Sequence, residues 1–233
     1  MIQNSFRQGI KDGIPIALGY LSVSFTFGMM ASSQGIPLWA AGLISLTNLT
    51  SAGQFAALGI IASAGSMIEM ALTQFVINLR YFLMSLSLSQ KADEKMNLPQ
   101  RAVVSFGITD EIFAVASSRY NGVGFQYMTA LMILPILGWT AGTLLGGITS
   151  SILPSRVSDA LGIMIYGMFL AIIIPPSKKS RPILWVCMIA AFLSCLLQWF
   201  SFIGQGFVII LCTLVAASLG AWLFPVKKEK AHD

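Results

Sequence analysis

Charged residues are scarce in this chain: Asp, Glu, Lys and Arg make up 10% of 233 residues. Soluble domains carry about 25% charged residues, so a sizeable soluble domain is excluded. The single histidine, His232, lies in the C-terminal tail, and the three cysteines stand in apolar runs without metal-like spacing. The sequence contains no nucleophile motif and no phosphate-binding loop. These absences argue against an enzyme, a bound metal and a cofactor.

Apolar residues instead make up 56% of the chain. They form eight runs, at about 14–34, 38–62, 67–89, 102–119, 126–151, 157–175, 182–201 and 206–225. A helix needs about 20 apolar residues to span a bilayer. The sequence therefore predicts an all-α polytopic membrane protein, with residues 1–233 forming one transmembrane domain of about eight segments.

Lys and Arg cluster at the ends of these segments and give the chain a net charge of +5. Basic loops favour the cytoplasmic side of a membrane. Eight full spans would place both termini and the basic loop at 176–181 in the cytoplasm, but would leave the basic loop at 90–101 outside. Re-entrant segments 2 and 5 would remove that conflict. Eight spans are the first choice, and the re-entrant topology remains open.

Segments 2 and 5 carry residues that do not suit an uninterrupted span. Segment 2 holds the polar patch 47–54, and segment 5 combines Pro135 with Gly138 and Gly142. Non-helical backbone at membrane depth needs cover from protein or from a water-filled cavity. Both segments are therefore predicted to be interrupted or re-entrant.

The two patches also resemble each other, since Thr50-Ser51-Ala52-Gly53 matches Trp139-Thr140-Ala141-Gly142 at two positions. This match favours inverted three-helix repeats at 12–90 and 101–176, followed by a C-terminal helix pair at 182–225. In transporters with inverted repeats, the substrate site lies where interrupted helices meet.

Segment 3 has the length of a span but contains Glu69, Gln74, Asn78 and Arg80. On a helix these side chains form one polar arc, while the other faces are apolar. The arc must face protein or water, because a charge in lipid is costly. Arg80 can hold a carboxylate bidentately. It lies about 16 Å from Glu69 along the helix, so Asp110 or Glu111 is its expected partner.

Asp110 and Glu111 stand about halfway along segment 4. A carboxyl group removed from water can carry a proton near neutral pH, which suggests that these residues couple transport to protons. Alternatively, they end a shorter helix at the interface and pair with Arg119. Glu69 is a further coupling candidate, although it stands near the start of its segment.

An interrupted helix offers free N–H groups and a positive dipole end to an anion such as an amino-acid carboxylate. The expected substrate-binding residues come from the two patches and from segment 3: Asn48, Thr50, Ser51, Gly53, Gln54, Asn78, Arg80, Thr140 and Gly142. The regular spacing of Gly138, Gly142 and Gly146 also suits close helix packing, with a helix of this chain or of a partner.

Three stretches together resemble the AzlC family, within a match from about Arg7 to Pro176: Ser51-Ala52-Gly53-Gln54-Phe55-Ala56, Ile77-Asn78-Leu79-Arg80-Tyr81-Phe82-Leu83-Met84 and Thr109-Asp110-Glu111-Ile112-Phe113. One departure is Tyr81-Phe82, where a histidine or another aromatic residue is common. The resemblance implies the large subunit of a two-component exporter of branched-chain amino acids (leucine, isoleucine, valine and analogues) in the bacterial plasma membrane.

The family is associated with azaleucine resistance. The resemblance further implies a small four-helix partner of the AzlD type, and coupling to the proton gradient or the membrane potential. The alternatives are a non-transporting scaffold or assembly subunit, a channel, or an exporter of another small molecule.

Overall fold

A computed structural model describes residues 5–119, 122–150, 152, 170, 173–175, 177–178, 180–199 and 204–225. In this part of the chain, nine helices have defined bounds: α1 (Phe6–Ser33), α2 (Leu38–Thr47), α3 (Ser51–Ala62), α4 (Met67–Ser89), α5 (Leu98–Phe106), α6 (Asp110–Ser117), α7 (Phe125–Thr149), α8 (Arg181–Gln198) and α9 (Gln205–Leu223). The chain divides into a first unit, Met1–Leu58 with Ile77–Ile165, and a second unit, Gly59–Val76 with Tyr166–Asp233.

Five of these helices are long and apolar enough to cross a membrane: α1, α4, α7, α8 and α9 from Gly206 onward. This confirms the prediction of an all-helical polytopic membrane protein. The predicted sixth segment, 157–175, falls mostly outside the described residues, so the count of eight stays a prediction.

The first unit is built on α1 and α7, which pack in parallel along most of their length. Glycines of both helices lie against the backbone of the other in ascending order, because no Cβ keeps the helices apart. The pairs are Gly9 with Tyr127, Gly13 with Leu131, Gly138 with Ala17, Gly142 with Leu21 and Gly146 with Phe25. The glycine spacing therefore serves packing within this chain.

Segment 2 consists of two short helices, α2 and α3, that form a hairpin, here called the first hairpin. Its tip, residues 48–50, separates them. The Gln54 side chain donates hydrogen bonds back to the carbonyls of Ile44 and Asn48, at 3.2 and 2.6 Å. Leu58 then shares an apolar cluster with Ala41. The chain thus turns back on itself, which confirms the predicted interruption of this segment, whereas its re-entry from one side of the membrane stays a prediction.

Segment 4 forms a second hairpin, from α5 and α6, with its tip at residues 107–109. α5 leads inward, since Gly107 lies against Met132 of α7. α6 leads back to the end of the first unit where α1 begins, called the N-terminal face. There Arg119, just beyond α6, forms an ion pair with Asp12, and Lys91 donates to the carbonyl of Ser117.

The predicted interruption of segment 5 is wrong, because α7 continues through Pro135 as one helix. Proline cannot donate to the carbonyl four residues earlier, which is that of Leu131. This carbonyl lies against Gly13 of α1, where protein covers it. The interrupted segments are thus 2 and 4. The repeats at 12–90 and 101–176 stay a prediction, since the second extends beyond the described residues.

In the second unit, α8 and α9 pack against each other, with Gly220 against Val186. The buried Glu69 side chain accepts a hydrogen bond of 2.7 Å from the backbone N–H of Gly206, at the start of α9. A carboxylate is favourable at this position because the first N–H groups of a helix have no intrahelical acceptor.

Candidate functional site

The tip of the first hairpin is folded around its own polar side chains. Thr50 caps α3, since its Oγ1 accepts from the N–H of Gly53 at 3.0 Å. Asn48 accepts from the N–H of Thr50 through its Oδ1, at 3.3 Å. These bonds satisfy backbone groups that the helix break exposes. The tip therefore places the N-terminus of α3, with its positive dipole end, inside the first unit.

The tip of the second hairpin has the same organisation. Thr109 caps α6, with its Oγ1 3.4 Å from the N–H of Ile112. Asp110 and Glu111 occupy the first turn of α6, where negative charge is favourable. The two acidic residues thus stand at a helix N-terminus within the unit.

Arg80 and Asp110 form an ion pair, with Nη1 and Oδ2 2.9 Å apart, as the position of Arg80 in segment 3 predicts. Their side chains are 42% and 47% exposed. Since α4 has the length and apolarity of a membrane span, a half-exposed ion pair on it requires water or protein rather than lipid. The pair is therefore the clearest candidate site in the first unit.

α4 also approaches the first hairpin, one residue beyond Arg80. The guanidinium donates to the Tyr81 hydroxyl at 3.3 Å and lies 5.1 Å from the centre of that ring. The Thr50 side chain lies near the Tyr81 hydroxyl. α4 thus lies beside both hairpin tips.

A second connection runs through α1 and α7. The buried Tyr20 hydroxyl lies 2.6 Å from Thr109 Oγ1 and 2.5 Å from Glu111 Oε2. Its ring meets the ring of Trp139 edge to face at 5.3 Å. Trp139 then donates to Gln54 Oε1 at 3.0 Å. Tyr20 and Trp139 therefore join the two tips through a chain of side-chain contacts.

The polar arc predicted on α4 is confirmed. Glu69 and Thr73 are buried, while Gln74, Asn78 and Tyr81 are half-buried, although Arg80 is exposed. The exposed apolar side chains of this helix are Met67, Ile68, Leu72, Phe75, Leu79, Phe82, Leu83 and Leu86. The helix thus turns its apolar side outward, as a lipid-facing surface requires.

Several predicted site residues join this network, namely Asn48, Thr50, Gly53, Gln54, Arg80, Asp110 and Glu111. Ser51 is the first residue of α3, beside the tip. The remaining candidates on α7 serve the helix itself: Thr140 donates to the Ile136 carbonyl at 3.0 Å, and Gly142 lies against Leu21. Glu69 belongs to the second unit. The binding roles of all these residues, and the coupling roles of Asp110, Glu111 and Glu69, stay predictions.

Arg119 is not the partner of Asp110 or Glu111, so the interfacial alternative for those residues is wrong in this respect. The Arg119 guanidinium pairs with Asp12 of α1 and lies over the Tyr127 ring at 4.4 Å. The Tyr127 hydroxyl also donates to Asp12, at 2.8 Å. This cluster ties α1, α7 and the end of α6 together at the N-terminal face.

Sequence reasoning missed Tyr20, Trp139 and Asp12 as members of polar networks. Asp12 carried a usable signal, since an acid near the start of an apolar run needs a partner. Tyr20 and Trp139 carried only a weak one, because aromatic residues are common in apolar segments and their partners are distant in sequence.

Comparisons with known proteins agree with this picture. The family model described as "AzlC protein" matches residues 15–153. The chain is 26% identical to the "Inner membrane protein YgaZ" of Escherichia coli strain K12, over 82% of this chain and 80% of the relative. It is 31% identical to an "Uncharacterized membrane protein" of Archaeoglobus fulgidus, over 74% of this chain and 76% of the relative.

A third relative is the "Branched-chain amino acid transport protein AzlC" of Bacillus subtilis strain 168, at 22% identity over 76% of this chain and 70% of the relative. No solved structure matches the chain. The family model covers more than half of the chain, and the motifs at 51–56, 77–84 and 109–113 lie within it. The chain therefore belongs to the AzlC family of membrane transport proteins.

Proposed function

We propose that this protein is the large subunit of a two-component secondary exporter of branched-chain amino acids in the bacterial plasma membrane. The observation that carries the proposal is the half-exposed Arg80–Asp110 ion pair beside the two hairpin tips. The printed function of the Bacillus subtilis relative, branched-chain amino acid transport, supports the substrate class.

The chemistry of the pair suits an amino-acid zwitterion. Arg80 can bind the substrate carboxylate through two N–H groups, and Asp110 can accept from its ammonium group. In this proposal the ion pair opens to admit the substrate and closes again when the substrate leaves. The N-termini of α3 and α6 add a positive potential near the carboxylate, and Ser51, Gly53 and Asn78 are the nearby groups assigned to binding.

Glu111 is the proposed coupling residue within the site. Its carboxylate lies within hydrogen-bonding distance of the Tyr20 hydroxyl on α1, so a change in its charge would alter the contact between the second tip and α1. Coupling to the proton gradient or to the membrane potential belongs to the same proposal. Glu69 is retained as a second coupling candidate in the second unit.

The orientation of the first unit follows from its basic residues. Arg7 and Lys11 lie at the start of α1, and Lys91 contacts Ser117 beside the N-terminal face. With both hairpins re-entrant, the basic 90–97 loop shares this face with the N-terminus, so the conflict left by eight full spans disappears. We assign this face, and by extension both termini, to the cytoplasm. An AzlD-type subunit is the proposed membrane partner.

A scaffold function receives less support. It depended on the glycine faces being available to partners, whereas Gly138, Gly142 and Gly146 are in contact with α1 of the same chain. Half-exposed charges on a membrane span are costly for a protein that only holds others together. A transporter, in contrast, needs charged side chains at this depth to bind its substrate.

The deciding experiment measures accumulation of radiolabelled leucine in cells with and without this gene and a neighbouring gene for a small four-helix membrane protein. Export should keep leucine accumulation low in cells that carry both genes. Arg80→Gln and Asp110→Asn should each raise accumulation to the level of cells without the genes, while the protein still inserts. Arg7→Gln, which removes an exposed arginine outside the network, is the matched control. Normal export by both site variants would refute the site, and no difference for any of several amino acids would refute the exporter.

A further inference from the structure

Two cavities lie beside the loop that joins α4 to α5, and they share one lining residue, Met96. The inner one, which lies nearer the Arg80–Asp110 pair, has a volume of about 100 Å³ and is lined by α4, α5, the loop and the start of α7. Its walls are apolar except for Ser85, Ser89, Ser105 and Arg101. The outer one has a volume of about 410 Å³, is mostly polar and is lined by Asp93, Lys95, Met96, Gln100, Gly124, Phe125 and Gln126. Both belong to the first unit.

Met96 is the residue that lines both cavities. Its side chain is 6% exposed, and methionine adapts easily to new packing because it is unbranched and has three rotatable bonds. The Nε of Arg101 donates a hydrogen bond to the Met96 carbonyl at 3.0 Å and thereby fixes the backbone of Met96. The loop is further fixed by hydrogen bonds between Asp93 and Val123 and between Val123 and Lys91.

The inner cavity extends toward the Arg80–Asp110 pair along two helices at once. On α4 the lining begins at Ser85, five residues beyond Arg80. On the other wall it ends at Ile108, two residues before Asp110 and within the tip of the second hairpin. Both walls therefore run from the N-terminal face toward the ion pair.

We propose that the inner cavity is a vestibule for the transported molecule, which passes from the outer cavity to the Arg80–Asp110 pair by displacing the Met96 side chain. This inference rests on the proposed function. Its ligand class is a small aliphatic amino acid, because the walls of the cavity are apolar and the Arg101 side chain lines it. The guanidinium of Arg101 has five N–H donors, so it can meet a carboxylate while keeping its bond to Met96.

Three serines on α4 allow a matched labelling test. Ser85 and Ser89 line the vestibule, whereas Ser87 lies between them in sequence and does not. In a background with Cys187, Cys195 and Cys212 replaced by serine, each position becomes cysteine in turn. The proposal predicts that leucine slows modification of Ser85→Cys and Ser89→Cys by a charged methanethiosulfonate severalfold, and leaves Ser87→Cys unchanged.

A second arm does not depend on the identity of the substrate. Adding Met96→Trp should slow modification of Ser85→Cys and Ser89→Cys from the N-terminal face, with Ser87→Cys again unaffected, because the indole fills the passage. Met96→Leu, which keeps a side chain of similar volume, is the control for folding, together with the amount of inserted protein.

The outcomes separate the two proposals. If leucine is exported but neither vestibule position is protected, the vestibule is refuted and the exporter stands. If leucine is not exported, the exporter fails, and the passage is then judged by Met96→Trp alone. Unchanged labelling at both vestibule positions in that variant refutes the passage whatever the substrate is.

Discussion

The indole N–H of Trp139 on α7 lies 3.0 Å from the amide oxygen of Gln54 on α3, and both side chains are 1% exposed. The amide N–H of Gln54 points the other way, to the carbonyls of Asn48 and Ile44. One buried amide therefore holds the first hairpin closed and fastens it to α7.

This relationship predicts that Trp139→Phe destabilises the protein by about 1 to 3 kcal/mol, because Gln54 Oε1 loses its partner in a buried place. The measurement is thermal unfolding of the detergent-solubilised protein. Trp222→Phe, at a position that is 77% exposed, is the control and should leave the melting temperature unchanged. Equal melting temperatures for Trp139→Phe and the wild type would contradict a stabilising hydrogen bond between Trp139 and Gln54.

Tyr20→Phe should weaken the attachment of the second tip to α1. The variant keeps the ring contact with Trp139 but removes the hydroxyl beside Thr109 and Glu111. A typical intramolecular hydrogen bond contributes about 0.5 to 1.5 kcal/mol, and more when an acceptor is charged. A double-mutant cycle with Thr109→Val measures the coupling, and purely additive effects would show that the two residues do not interact.

Gly142→Ala and Gly146→Ala should force α1 and α7 apart, since a Cβ at either position would meet the backbone of Leu21 or Phe25. Overpacking typically costs about 1 to 3 kcal/mol. Gly19→Ala on α1 is the matched control, because a Cβ there has nothing within 4 Å; alanine should be neutral or stabilise the helix by up to about 1 kcal/mol. The melting temperatures of the three variants test this expected order of stability.

Replacing Arg80 and Asp110 should separate stability from transport. Both side chains are exposed by more than a third, so breaking their ion pair should change the free energy of unfolding by no more than about 1 kcal/mol. Export, in contrast, should be lost in Arg80→Gln, in Asp110→Asn and in the double variant. If the double variant regains export, a pair without net charge is sufficient for transport. That result would contradict the proposal that Arg80 and Asp110 bind the substrate.

Glu69→Leu should loosen the start of α9, because the Gly206 N–H loses its acceptor. We expect faster hydrogen exchange in peptides that contain Gly206 and a cost of about 1 to 3 kcal/mol. Glu69→Gln keeps an acceptor oxygen and should cost less, about 0.3 to 1 kcal/mol for the lost charge at a helix terminus. Glu94→Leu in the exposed loop is the control, and an equal response there would refute the contact.

Much of the site could be predicted from single segments. The arc on α4 follows from helical periodicity, and the pairing of Arg80 with Asp110 or Glu111 follows from the cost of an isolated charge in a membrane. The start of α6 also had a local signal, since Thr109 followed by Asp110 and Glu111 is typical of a helix N-terminus. Reading that stretch as mid-span hid the second hairpin.

By itself, the sequence determined that this is a helical membrane protein of the AzlC family, and which side chains cannot face lipid, because both depend on composition and local periodicity. Tertiary structure decided which segments turn back. Pro135 and Gly138 looked like a break, but α1 covers the carbonyl that proline leaves free, whereas Gln54 and Thr109 stabilise real breaks at 48–50 and 107–109. In the sequence, a polar or glycine-rich patch looks the same whether the helix continues or breaks there. Only the contacts with neighbouring helices decide between the two.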